Sequence, residues 1–135
     1  MQYRRLKLKA GKYHFWVKIF KTKADMRAYW QDYDKRTGGV KEGYDKAGGV
    51  TLAYRIFKTA TTNKIEPEIG QILVSEEQMG GSTMGHELIH AALHAYEVIY
   101  KSRNIKNMEQ EENFAYLFSD MHNELVNKMY DKKIW

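Results

Sequence analysis

Gly80-Gly81-Ser82-Thr83-Met84-Gly85-His86-Glu87-Leu88-Ile89-His90 is the stretch on which the reading of this chain turns. Its last five residues fit H-E-x-x-H, the pattern of a helix that carries two zinc ligands and a general base. On an α-helix, residues four apart share a face and lie about 6 Å apart along the axis. His86 and His90 can therefore converge on one ion. Glu87 projects roughly a quarter turn away, so it can reach a metal-bound water without ligating the metal. Gly80-Gly81 provides a flexible entry, and Ser82 or Thr83 provides an N-cap hydroxyl. Met84, Leu88, Ala91, Ala95, Val98 and Ile99 form an apolar stripe at helical period, with the His pair on the other side beside Leu93 and Glu97. Such a helix keeps one face in a core and one at a cleft. Two solvated histidines are the bland alternative, and for a lone His that reading is the better one. His, Glu and His in this order, on a capped amphipathic helix, favour a metal site.

A tetrahedral catalytic zinc takes three protein ligands and leaves one position for water. The third ligand is expected from the next helix, in Met108-Glu109-Gln110-Glu111-Glu112-Asn113-Phe114-Ala115-Tyr116. Phe114, Leu117, Phe118, Met121 and Leu125 cluster on one side of that helix, and Glu112 falls opposite with Ala115, Tyr116 and Ser119. Glu112 is the preferred ligand, and small Ala115 would let the two helices approach closely. Glu111 is the fallback. Glu109 suits a solvated acidic first turn, favourable to the helix dipole. His94 lies about 12 Å from His86 along the axis, too far for one ion to bind all three histidines of a straight helix, so it reads as a supporting or structural residue. His122, some 15 Å past Glu112 on its own helix, reads as structural or surface. His14 lies in a strand with no evident partner.

His86-Glu87-Leu88-Ile89-His90-Ala91-Ala92-Leu93-His94, followed by Glu111-Glu112-Asn113-Phe114-Ala115-Tyr116, resembles small gluzincin-type metallopeptidases. The pattern is most similar to compact metallopeptidases of phages and other mobile elements, and more distantly to the ImmA/IrrE group. The resemblance spans roughly Ile69 to Leu125. It implies His86, His90 and Glu112 as zinc ligands and Glu87 as general base. Larger gluzincins often place an Asp one turn after the Glu ligand, where it steadies a zinc His. Tyr116 holds that place here, which leaves the support of the ligands undetermined. Ala91-Ala92-Leu93-His94 runs on without the glycine that a metzincin needs. The absence of cysteine argues against a deformylase, whose third ligand is Cys. No helix-turn-helix signature accompanies the motif.

A chain of 135 residues is one domain, and 43% hydrophobic content with 13% aromatics is globular. No stretch has the apolar length of a membrane span, and Met1-Gln2-Tyr3-Arg4-Arg5 is not a signal peptide. With no cysteine for disulfides, the expected location is the cytoplasm, a host's cytoplasm if the protein is phage-encoded. The net charge is +5, with positives concentrated early at Arg4, Arg5, Lys7, Lys9, Lys12, Lys18, Lys21 and Lys23. Phosphate neutralisation by such a region can bind nucleic acid. A solvated strand face that discourages edge pairing is the favoured explanation.

Residues 13–21 read as a strand. Thr22-Lys23-Ala24-Asp25 resembles a capping box, and Met26, Tyr29, Trp30 and Tyr33 mark one face of a short helix. Residues 34–49, with five glycines, read as a loop, either a lid over the cleft or an ordinary surface loop. Val50, Leu52, Tyr54 and Ile56 alternate as a second strand, Asn63 to Pro67 is a turn, and Ile69–Ser75 is a third strand. The expected fold is α+β: a minimal zincin-like domain over residues 1–135, with a small, mostly antiparallel sheet, an early helix, the His helix and a C-terminal helix.

In zincin-like proteins an extended peptide pairs with the strand at the cleft edge. Ile69–Ser75 and Val50–Phe57 both qualify. The expected chemistry is hydrolysis of a peptide bond by a zinc-activated water, with Glu87 as base. Tyr116 is the candidate second donor to the oxyanion, with Tyr96 and Tyr100 as alternatives. The competing expectations are a phage-encoded binding or inhibitor protein that keeps a zinc site without turnover, and a basic DNA-associated protease of the SprT type.

Overall fold

The structure, a computed structural model, describes residues 2–38, 47–54 and 66–134. The chain opens with β1 (Tyr3–Ala10) and β2 (Tyr13–Phe20), which pair antiparallel across the two-residue turn Gly11-Lys12. Gly11 takes φ +62°, the left-handed region a glycine enters without steric cost, at the first central position of the turn. β1 is a full strand that the strand reading of residues 13–21 leaves out. Its signal was present: Leu6, Leu8 and Ala10 are buried, while Arg5, Lys7 and Lys9 face solvent.

α1 (Lys23–Thr37) starts as its sequence requires, with the Thr22 hydroxyl accepting from the Asp25 N–H. It runs four residues further than expected, taking residues 34–37 from the glycine-rich loop, and Gly38 closes it with an N–H to the Asp34 carbonyl. Residues 39–46 of that loop, the expected strand continuation at Ile56 and most of the turn before Pro67 lie outside the described residues. β3 (Gly49–Ala53) and β4 (Glu68–Ser75) complete a mixed sheet in the order β1-β2-β4-β3. β2 and β4 run parallel, and the two outer pairings are antiparallel. β4 is central and nearly wholly buried, because both of its faces are covered. α1 packs Met26 and Trp30 on Phe20, Leu52 and Leu73.

The other face carries α2 (Gly81–Tyr100) and α3 (Met108–Asp131). Met84, Leu88, Ala91, Ala95 and Val98 of α2 join Met121, Leu125 and Met129 of α3 over Leu8, Phe15, Val17 and Ile72. The apolar stripe of α2 is thus the core face it was read to be. Its cap is different. Gly80, at extended φ −68° and ψ 168°, is the N-cap, and no side chain bonds the first turn. Ser82 and Thr83 are already inside the helix. α3 is capped by a reciprocal box, Asn107 to the Gln110 N–H and Gln110 to the Asn107 N–H.

Candidate metal centre on helix α2

α2 presents His86, Ile89, His90 and Leu93 outward, and Ile89 and Leu93 are exposed large apolar side chains beside the two imidazoles. The Nε2 atoms of His86 and His90 lie 3.2 Å apart, with ring centroids at 4.8 Å. Two zinc–nitrogen bonds of about 2.0–2.1 Å at the tetrahedral angle leave about 3.3 Å between the nitrogens. The pair therefore has the bite of two ligands on one tetrahedral ion.

Glu87 lies on another side of the helix and is buried, with 5% of its surface exposed. The Thr51 hydroxyl on β3 is 2.9 Å from both Oε1 and the backbone carbonyl oxygen of Glu87, and its proton serves one or the other. A buried carboxylate without such a donor is costly, so Thr51 fixes where the acid sits. β3 comes this close because residue 49 is glycine. A Cβ there would lie 3.1 Å from Glu87 Cγ and 3.2 Å from both the Leu73 carbonyl oxygen and Thr83 Cγ2. Sequence reasoning missed Thr51 and Gly49. Neither belongs to a motif, and only the pairing of β3 on β4 brings them to α2.

The expected third ligand, Glu112, is exposed on α3. Among the described residues, no group of three His, Asp or Glu side chains could hold a metal. α2 continues ten residues past His90 to Tyr100, about 15 Å. The Tyr96 hydroxyl donates to the Asn104 carbonyl, and Tyr96 packs edge-on against Phe114 at 6.2 Å. The first turns of α3 are therefore held beside the C-terminal half of α2. From there α3 leads along β1, where the Glu124 carboxylate accepts from the Lys9 N–H. Glu109, Glu111 and Glu112 are all exposed. Glu112 does sit opposite the apolar side of α3, but that side packs on the core, so the opposite face looks into solvent. Ala115 is exposed as well, and Phe114 makes the helix contact in its place. Tyr116 is 67% exposed and has no hydrogen bond or ring contact with the His pair. Of the alternatives, Tyr100 is exposed, and Tyr96 is buried with its hydroxyl committed to Asn104.

The remaining histidines are structural in their contacts. His94 Nε2 donates to the Ile69 carbonyl at 3.0 Å, its ring packs on Phe15, and burial lowers its pKa. His122 stacks on Phe118. His14 meets Trp16 edge-on, and burial, then the nearby Lys7, lowers its pKa while Glu68 opposes them.

The strand order also separates the two candidate cleft strands. β4 is internal, whereas β3 is one of the two edges among the described strands and lies against α2 through Thr51 and Glu87. No helix among the described residues is long and apolar enough to cross a membrane. Comparison with family models, curated proteins and solved structures yields no match.

Proposed function

We propose that the chain is a zinc-dependent peptidase in which His86 and His90 hold the ion and Glu87 is the general base. The observation that carries this reading is the 3.2 Å convergence of the two Nε2 atoms, with Glu87 one residue on and anchored beside an edge strand. When bound, zinc supplies a water whose pKa falls from about 16 toward about 7, and it polarises the scissile carbonyl. Glu87 takes the proton of the attacking water and delivers it to the leaving amine. Thr51 holds one carboxylate oxygen during both transfers. An extended peptide would add to the edge of β3 that no described strand pairs, through backbone hydrogen bonds, with Ile89 and Leu93 offering apolar contacts to its side chains.

The test is metal content with variants. Wild type should carry about one zinc per chain, and His86→Ala and His90→Ala should lose it. Glu112→Ala reports on the third ligand: loss of zinc assigns it to that carboxylate, and retention leaves the ion to the two histidines. A wild-type chain that takes up no zinc sinks the proposal. A second reading, a zinc-site binding protein without turnover, is favoured by the burial of Glu87 and by the missing third ligand among the described residues. Glu87→Gln divides the two. It should retain zinc and abolish peptide cleavage, whereas a biological effect that survives it belongs to the binding protein.

A further inference from the structure

We infer that the solvent face of the β1–β2 hairpin is a binding surface for single-stranded nucleic acid, with Trp16 as the stacking platform and Arg5, Lys7, Lys9 and Lys18 as phosphate contacts. Strand alternation puts these residues on one face, and the register sets Arg5 opposite Lys18, Lys7 opposite Trp16 and Lys9 opposite His14. α1 covers β3, β4 and the Phe20 end of β2 on the same face, while Arg5, Lys7 and Lys9 stay exposed. The ion pairs of the described residues are Arg4–Glu76, Arg36–Asp32, Arg103–Glu97 and Lys128–Glu124, so none of the four cations has an acidic partner. Like charges on one face of a strand pair are destabilising, and a bound polyanion relieves that cost.

Three of the four lie over aromatic rings instead. The Arg5 guanidinium sits 4.5 Å from the centre of the Trp16 ring, with Lys7 Nζ at 5.9 Å. Lys18 Nζ lies over Tyr3 and Tyr29 at 5.2 and 4.9 Å and donates to the Tyr29 hydroxyl at 2.7 Å, a bond it would exchange for a phosphate. A ring flanked by cations is what a base and its phosphate require: the base would take the π-face that Arg5 covers, and the guanidinium would move to the phosphate. Beside it, a groove of about 450 Å³ opens between the hairpin and the end of α3, lined by Arg5, Lys7, Trp16, Lys128, Asp131 and Lys132. Asp131 is its one acid.

Edge protection accounts for lysines on β1, which is a sheet edge. It does not account for Trp16 and Lys18 on β2, which is an internal strand. A duplex keeps its bases stacked inside and has none to offer Trp16, so an unpaired strand is the better fit. The surface is independent of the His pair on the opposite side of the sheet.

The experiment is fluorescence anisotropy of a labelled oligothymidylate of about twelve nucleotides. Binding at about 50 mM salt should weaken toward about 200 mM with a log–log slope of about −2 to −3, as three to four phosphate contacts require. Trp16→Ala should cost about fivefold to about a hundredfold in affinity with little change in that slope, and Trp16→Phe should retain most of the binding. Arg5→Glu with Lys7→Glu should abolish binding, and Glu87→Gln should leave it unchanged. Circular dichroism checks each fold, and if Trp16→Ala unfolds, the Phe and Glu variants decide. No binding at about 50 mM salt overturns the inference. So does duplex binding equal to single-strand binding and indifferent to Trp16, or competition by polyglutamate as effective as by unlabelled oligonucleotide, which would assign the face to an acidic protein.

Discussion

Glu87 shows how much one residue's surroundings decide. The motif assigns it a role, but its position is set by Thr51, which supplies the hydrogen bond that lets a carboxylate stay buried. Thr51→Val keeps the shape and removes that donor, so it should lower unfolding stability by about 1–3 kcal/mol. In the Glu87→Gln background the loss should shrink, because a neutral amide is less costly to leave without that donor. Urea unfolding of the four proteins of this cycle checks it, and equal losses in both backgrounds would refute the coupling. His94 carries a second residue-scale prediction. Burial lowers its folded pKa below the usual 6.5, so near and below that pH the unfolded chain takes up a proton that the folded one resists. Its contribution to stability is complete above about pH 6.5 and declines as the pH falls through that range; His14 acts in the same direction. Denaturation of metal-free protein between about pH 7 and about pH 5 should show a shallower decline in His94→Gln than in wild type.

At the scale of elements, α2 and β3 are fitted to each other through a glycine. A methyl group at position 49 would press on Glu87 Cγ, on the Leu73 carbonyl and on Thr83 at 3.1–3.2 Å. Gly49→Ala should therefore cost about 1–3 kcal/mol and reduce zinc binding by pushing α2 away from the strand. Gly85 offers the contrast. It lies inside α2, and a Cβ there meets nothing within 4 Å. Gly85→Ala should stabilise by about 0.5–1 kcal/mol, since alanine loses less backbone freedom in a helix. Thermal melts of the two variants should shift in opposite directions. The elements themselves were largely legible. The Thr22 cap of α1, the stripe of α2 and the apolar side of α3 follow from period and capping chemistry. β1 was legible as a solvated strand face from its early cations, although its bounds were not.

For the whole molecule, the sheet divides the chain into two surfaces with separate chemistry. One side bears α2 with its paired imidazoles, and the other bears α1 and, beside it, the cations and aromatics of the hairpin. Which strand is internal could not be read from β3 and β4 separately, because both are apolar and strand-like. Their order is set by β2 pairing parallel to β4 across the α1 crossover. The sequence by itself determined the α+β class, the His helix and its buried stripe, and the convergence of His86 and His90. These are local, since a helix places residues four apart on one face whatever surrounds it. Tertiary structure alone decided the rest: Thr51 and Gly49 against Glu87, β3 at an edge, Glu112 in solvent beside the far half of α2, and Trp16 beneath Arg5 and Lys7. Each depends on where separate elements pack, and helix length, loop return and strand order set those distances without leaving a pattern in neighbouring residues.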